Sequence, residues 1–265
     1  MNRADRRIIG VIPARMGSSR FPGKPLALLT GIPMVGHVYF RSKMCPALDE
    51  VYIATCDQDI MEYAESIQAP AILTSSSHER ATDRTAEAML TVEKRTGKST
   101  DIVVLIQGDE PMLHPDMIDE ALAPILSDER IGVVNLAAPL DGEEEQDDPN
   151  EVKVVLDREG YALYFSREPI PSRKKANGPV GVLKQVCIMP FRRDWLLRFN
   201  ELPSTPLEQA ESVDMLRFLE HGYKVRMAKT GHQTYSVDTP EDLACVEALM
   251  REHPMPYGPA MGSSA

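Results

Sequence analysis

Short apolar runs alternate with longer amphipathic stretches through the first half of the chain. Ile8-Ile9-Gly10-Val11-Ile12 is bounded by charge on one side and by Pro13 on the other, which predicts a buried strand. Val51–Ala54, the short Ala71–Leu73, the β-branched Ile102–Ile106 and Val133–Ala137 read the same way. Between them, helices are predicted over Met34–Met44, from Asp57 to about Gln68, and over Glu79–Lys94. Asp57 stands where an N-cap belongs, and Thr96-Gly97 ends the third helix. Pro115 opens a fourth helix. Strand and helix alternate to about residue 140, the pattern of an α/β layer with a mostly parallel sheet.

The pattern then changes. Asp141–Asp148 (DGEEEQDD) reads as a solvated acidic loop. Val152–Leu156, Ala162–Phe165 and Leu183–Met189 read as strands, with a hairpin turn at Asp157–Gly160. Ser172–Gly178 is a polar, basic loop. A helix is predicted over Pro206–Glu220, a strand over Val225–Ala228, and a last helix over Pro240–Arg251, capped by Asp238 or Thr239. From His253 to Ala265 the chain is rich in Pro, Gly and Ser and is expected to be disordered.

Composition narrows the function. With 265 residues, one large domain or two modest ones can form around a full core. The formal net charge of −11 disfavours nonspecific binding to nucleic acid or to a membrane surface, both of which rely on summed positive charge. It leaves room for a local basic pocket and an anionic small ligand. Cys45, Cys56, Cys187 and Cys245 are widely spaced and pair with no His at zinc-ligand spacing, so free, mostly buried thiols in a reducing compartment are expected. No run is apolar over the length a spanning helix needs, and Ile8–Ile12 is too short for a signal-peptide core. A cytoplasmic protein without membrane insertion is the expectation.

Chemistry concentrates after the first strand, in Pro13-Ala14-Arg15-Met16-Gly17-Ser18-Ser19-Arg20-Phe21-Pro22-Gly23-Lys24-Pro25. Ligands of open α/β sheets bind at the carboxyl ends of the strands. Free amides around Gly17–Ser19 suit phosphate, and Arg15 and Lys24 can neutralise it. The spacing is neither a Walker loop nor G-x-G-x-x-G. Asp109 directly follows the strand Ile102–Ile106 and is placed as a Mg²⁺ ligand. Asp238, in Ser-Val-Asp-Thr-Pro, reads from local sequence as the cap of the last helix.

The order Pro-Ala-Arg-x-x-Ser-x-Arg-x-Pro-Gly-Lys-Pro resembles the nucleotide-binding loop of sugar nucleotidylyltransferases, and most closely that of the CMP-ulosonate synthetases with the 3-deoxy-manno-octulosonate (KDO) cytidylyltransferases. The resemblance continues in Val104–Pro111, Val152–Asp157, Gly160–Arg167, Pro206–Glu208 and Val237–Leu243. It implies a Rossmann-like three-layer nucleotidyltransferase with a smaller β-rich acceptor and dimerisation part. It further implies one domain over residues 1–252, with nucleotide binding at about 8–140, acceptor binding and dimerisation at about 150–222, and a C-terminal return at 223–252. The implied reaction couples CTP to the anomeric hydroxyl of KDO or a closely related ulosonic acid. CMP-sugar and pyrophosphate are the products, Mg²⁺ the cofactor, and a homodimer the implied assembly. By the same resemblance Arg15, Lys24, Asp109 and Asp238 are catalytic, and both aspartates hold the metal. Ala14, Arg15, Gly17, Ser18, Ser19, Arg20, Lys24, Thr82, Asp83, Arg84 and Gln107 bind the nucleotide. Gln107, Arg167, Gln185, Met189, Glu208 and Glu211 bind the acceptor.

Departures from the family fall mainly in the acceptor half. Gln185, Cys187 and Met189 stand where the family shows His, Gly and Tyr, and Met215 stands for Gln. Ala81 replaces the Gly of the segment that ends in Thr82-Asp83-Arg84. Two other readings therefore stay open: a Mg²⁺-dependent nucleotidyltransferase acting on a different small anionic acceptor, and a catalytically silent paralogue.

Overall fold

The computed structural model describes residues 6–17, 20–140, 142–174 and 181–254, so Ser18, Ser19, part of the basic loop and the tail from 255 lie outside the described residues. In chain order the elements are β1 (Ile8–Ala14), β2 (Leu28–Leu29), β3 (Ile32–Pro33), α1 (Met34–Lys43), β4 (Glu50–Thr55), α2 (Gln58–Ser66), β5 (Ala71–Leu73), α3 (Ala81–Thr96), β6 (Ile102–Ile106) and α4 (Pro115–Ser127). There follow β7 (Val134–Leu140), α5 (Glu143–Asp147), β8 (Lys153–Leu156), β9 (Ala162–Ser166), β10 (Val182–Val186) and β11 (Ile188–Arg192). The last are α6 (Arg193–Glu201), α7 (Pro206–Glu211), α8 (Met215–Glu220), β12 (Arg226–Lys229) and α9 (Pro240–Glu252). Two compact units emerge: residues 1–118 with 234–265, and residues 119–233. Within the second unit β7 pairs with β10 and β12.

In the first unit β6, β1, β4 and β5 lie side by side, all parallel. Ile9, Val11, Ile12 and the whole of β6 are buried, as befits strands covered on both faces. From β1 the chain goes to β4 and β5 on one side and returns to β6 on the other. The carboxyl ends of β1 and β6 thus flank a topological switch point, where open α/β sheets place ligands. The hairpin β2–β3 was not anticipated. It turns through Thr30 and Gly31, both at positive φ (47° and 87°). Against it packs α9: Leu29, Met34, Val237, Val246 and Met250 form one buried cluster.

The second unit holds a mixed sheet in the order β12-β7-β10-β8-β9, with β10 antiparallel to both neighbours. The turn expected at Asp157–Gly160 is present, with Asp157 Oδ1 accepting from the amides of Glu159 and Tyr161. Three expectations need correction. The single strand over Leu183–Met189 is two, β10 and β11, broken by a bend at Cys187. The acidic loop contains the short helix α5, tied back by Gln146 Nε2 donating to Leu140 O at 3.0 Å. The helix over Pro206–Glu220 is α7 and α8, separated by Ser212 in the left-handed region (φ 53°). Helix α6 went unread because its apolar residues continue directly from β11. It contributes Trp195 and Phe199 to an aromatic cluster with Phe191, Phe218 and Tyr223, and it buries Leu196. Trp195 lies so close to Gly132 that a Cβ there would overlap the indole.

A buried ion pair spans the break between α7 and α8. Glu208 is fully buried, and Arg217 of α8 grips it with two parallel bonds of 2.8 and 2.6 Å. Glu208 Oε2 also accepts from the Thr205 amide at 3.2 Å at the start of α7. Burial alone would raise its pKa; the Arg217 guanidinium outweighs that and holds it below the ordinary 4.5. All four cysteines are free, but only Cys45 is buried and Cys245 is exposed, so the thiols are less sheltered than expected. Among the described residues no helix is long and apolar enough to cross a membrane.

Glu208→Gln leaves the Arg217 charge buried without its counterion and is expected to cost about 3–5 kcal/mol, read as a lower urea midpoint. Because the folded carboxyl titrates below 4.5, its contribution is intact above that pH and is lost as pH falls through the lower folded value. The wild type should show this acid-side loss and the variant should lack it.

Candidate active site

The two ends of the loop after β1 are tied to each other and to α2. The Met16 amide donates to Asp57 Oδ2 at 2.8 Å, and the Met16 carbonyl accepts from the Gly23 amide at 3.0 Å. Gly23 adopts φ 77°, a conformation that costs little only without a Cβ. It leads into a single 3-10 turn, Lys24–Leu26, with Pro25 at an early position that needs no amide. Asp57 holds the N-cap position of α2 but makes no side-chain cap. The cap expected there is absent because its carboxylate bonds the loop instead.

Lys24 reaches across the carboxyl ends of the strands. Its Nζ lies 2.9 Å from Val237 O, 3.2 Å from Asp238 Oδ1 and 3.3 Å from Asp109 Oδ2. Arg20 adds a second cation 3.1 Å from Asp238 Oδ1. The backbone joins the two acidic segments as well, through Val237 N donating to Asp109 O at 2.9 Å. Behind Asp109, buried Arg41 of α1 donates to Met112 O and Leu113 O and so braces the chain beyond the acid. Burial works against the Lys24 charge, but Asp109 and Asp238 outweigh it and lift the pKa above its ordinary 10.5. The ammonium is therefore retained through neutral and mildly alkaline pH.

The ambiguity at Asp238 is resolved by its neighbour. Thr239 is the N-cap of α9, accepting from the Asp242 amide at 3.2 Å, while Asp242 Oδ2 accepts from the amides of Thr239 and Asp238. The helix start is satisfied without the Asp238 carboxylate, which is left to face Lys24 and Arg20.

The other nucleotide-site candidates are spread along the same sheet edge and one helix. Ala14 is buried at the end of β1, and Arg15 and Gly17 are exposed in the loop. Gln107 follows β6 directly and is half-buried. Thr82 and Asp83 lie in the first turn of α3, with Thr82 fully buried. Ala81 is the first residue of that helix, where its methyl is at home. Arg84 is buried and turned backwards. It bonds Thr74 Oγ1, and also Ser75 O and His78 O at 3.4 Å, so it braces the loop after β5.

The acceptor-site candidates are all in the second unit except Gln107. Arg167 and Glu211 are tied to each other: Arg167 Nε donates to Glu211 O at 2.6 Å and Arg167 N to Glu211 Oε2 at 2.7 Å. Glu211 Oε1 also accepts from Tyr164 and Ser166. Gln185 Nε2 donates to the buried Asn135 Oδ1 at 2.5 Å, which orients its amide. Met189 is 3% exposed within β11, a core position. Glu208 has both oxygens engaged by Arg217 and holds two helices together. Sequence reading missed Lys153, fully buried in β8, with Nζ donating to Asp148 O at 2.8 Å and Arg167 O at 2.5 Å. Burial lowers its pKa. A charged residue inside an apolar strand was the available signal.

Residues 9–229 match the model of the cytidylyltransferase family. The chain is 41% identical over 252 residues to the 3-deoxy-manno-octulosonate cytidylyltransferase of Syntrophotalea carbinolica, covering 92% of this chain and 98% of that one. It is also 41% identical over 251 residues to the mitochondrial 3-deoxy-manno-octulosonate cytidylyltransferase of Arabidopsis thaliana, with 94% and 85% covered. A CMP:2-keto-3-deoxy-manno-octonic acid synthetase solved in complex with CTP superposes with a TM-score of 0.85 at 39% identity, over 93% of this chain and 99% of that one. A family match over most of the sequence, and this identity across nearly its whole length, make the chain a member of the cytidylyltransferase family and a nucleotidyltransferase.

Proposed function

We propose that this enzyme transfers a cytidylyl group from CTP to the anomeric hydroxyl of KDO or a closely related ulosonic acid, in the cytoplasm and as a homodimer, supplying lipopolysaccharide synthesis. The observation that carries the reading is the meeting of Lys24, Asp109 and Asp238 at the carboxyl ends of β1 and β6. The acceptor oxygen attacks the α-phosphate, the bond to the β-phosphate breaks, pyrophosphate leaves, and the hydroxyl proton is released. Little covalent work falls to the protein, which must align reactants and neutralise charge.

Two half-buried carboxylates, already arranged around one positive charge, are a hard-oxygen donor set that fits Mg²⁺. Asp109 and Asp238 would hold it, and bound there it would offset the phosphate charge. Lys24 is fixed beside the acids by ion pairs of 3.2 and 3.3 Å, so its ammonium is placed to supply positive charge to the phosphates. Arg15 and Arg20, exposed on the loop, extend that field toward the triphosphate. In the second unit Arg167, oriented by Glu211, offers a planar cation to the acceptor's carboxylate.

A different small anionic acceptor is the second reading. It is favoured by Gln185, whose amide is committed to Asn135, and by Met189, whose side chain is buried. Pyrophosphate release from CTP with KDO and a panel of other sugar acids separates the two. Release with another acid but none with KDO would reject the narrow assignment. A silent paralogue would have no reason to keep both acids poised around Lys24, and Mg²⁺-dependent turnover tests it.

Asp109→Asn should lower kcat by roughly a hundredfold or more while the fold persists, because a charged ligand is lost where phosphate charge is neutralised. Near-normal kcat at saturating Mg²⁺ would sink that role. Lys24→Ala removes a charge-assisted contact worth about 1.5–3 kcal/mol, so kcat/KM for CTP should drop by roughly ten- to a hundredfold. The KM for the acid should stay put; a rise there alone would mean that the loop does not handle triphosphate.

A further inference from the structure

We propose that Asp57 is a positioning residue for the phosphate loop: its carboxylate, at the carboxyl end of β4, sets the conformation of the segment that delivers Lys24. Asp57 is half-buried at the start of α2, where a side-chain cap would be ordinary. Its carboxylate instead accepts from the Met16 amide at 2.8 Å. Residue Met16 is therefore held at both its amide and its carbonyl, since the carbonyl accepts from the Gly23 amide. A displacement at Met16 passes along this bond to Gly23 and from there to the turn that aims Lys24. The path runs from the Asp57 carboxylate to the Met16 amide, along the Met16–Gly23 backbone bond, and so to the ammonium between Asp109 and Asp238, all inside the first unit.

The carboxylate acts here as a hydrogen-bond acceptor and not through its charge. An anion beside a triphosphate loop would repel the ligand electrostatically, so geometry is the benefit it brings. An uncharged acceptor of the same shape should then serve as well. Asp57→Asn keeps an oxygen for the Met16 amide, whereas Asp57→Ala removes it.

Two measurements test this on the full-length protein, the kinetic one resting on cytidylyl transfer and the other independent of it. Amide hydrogen exchange at Met16 and Gly23 should accelerate at least about tenfold in Asp57→Ala, with melting temperature nearly unchanged, and stay close to wild type in Asp57→Asn. In the same variants kcat/KM for CTP should fall roughly tenfold or more in Ala, recover in Asn, and leave the KM for the acid unchanged. Unaltered exchange at Gly23 in Asp57→Ala would overturn the proposal. So would an Asn variant as impaired as Ala, since charge would then be the operative property. If the wild type itself fails to turn over CTP with any sugar acid, the functional reading falls, and the exchange data alone decide the role of Asp57.

Discussion

One ammonium group between two carboxylates determines where three distant stretches of the first unit meet. Asp109 follows β6, Asp238 precedes α9, and Lys24 closes the loop after β1. Brought together alone, the two acids would repel each other in a site that solvent screens only in part. Lys24, 3.2–3.3 Å from each, removes that repulsion and adds a bond to the Val237 carbonyl. Apolar packing holds the geometry from below, since Val237 lies in the same buried cluster as Leu29 and Met34. The acidic residues are thus held as a pair before any ligand arrives, the condition under which electrostatic stabilisation needs no reorganisation.

Buried charge plays a different part in the second unit. Glu208 with Arg217, and Lys153 with the carbonyls of Asp148 and Arg167, spend their charge entirely on protein partners. They fix the entry of α7, the return of α8 and the chain around Arg167. Side chains of the same types thus do opposite work in the two units, and burial with fully engaged partners is what distinguishes them.

Much of the first unit was legible in the sequence because its signals are local. Apolar runs separated by Gly, Pro and capping residues mark β1, β4 and β6 within a residue or two. Gly97 ends α3 in the left-handed conformation that its residue type favours. The illegible parts depend on partners distant in sequence. Nothing near Asp57 says that its carboxylate abandons a helix cap for a loop amide. Nothing in Pro206–Glu220 shows a break at Ser212, nor Arg217 folding back on Glu208 across it, which is a tertiary event. At Asp238 local sequence favoured the cap, and only the capping box of Thr239 and Asp242 shows why the carboxylate is spared. The burial of Met189 and Glu208 was likewise not readable from local sequence, since it depends on elements packed from elsewhere in the chain.

The first unit is discontinuous, with residues 119–233 intervening between its two segments. This has a consequence for synthesis on the ribosome. A nascent chain that has emerged as far as residue 233 already contains Lys24 and Asp109, the whole parallel sheet of the first unit, and all of the second unit. It lacks the Val237 carbonyl, Asp238 and the helix that fills the cluster over β2–β3. The last acid is therefore delivered by the last helix, and a long-range closure completes what local folding began. An incomplete chain holds Lys24 beside a single carboxylate, so the fully charged constellation arises only once translation has passed α9.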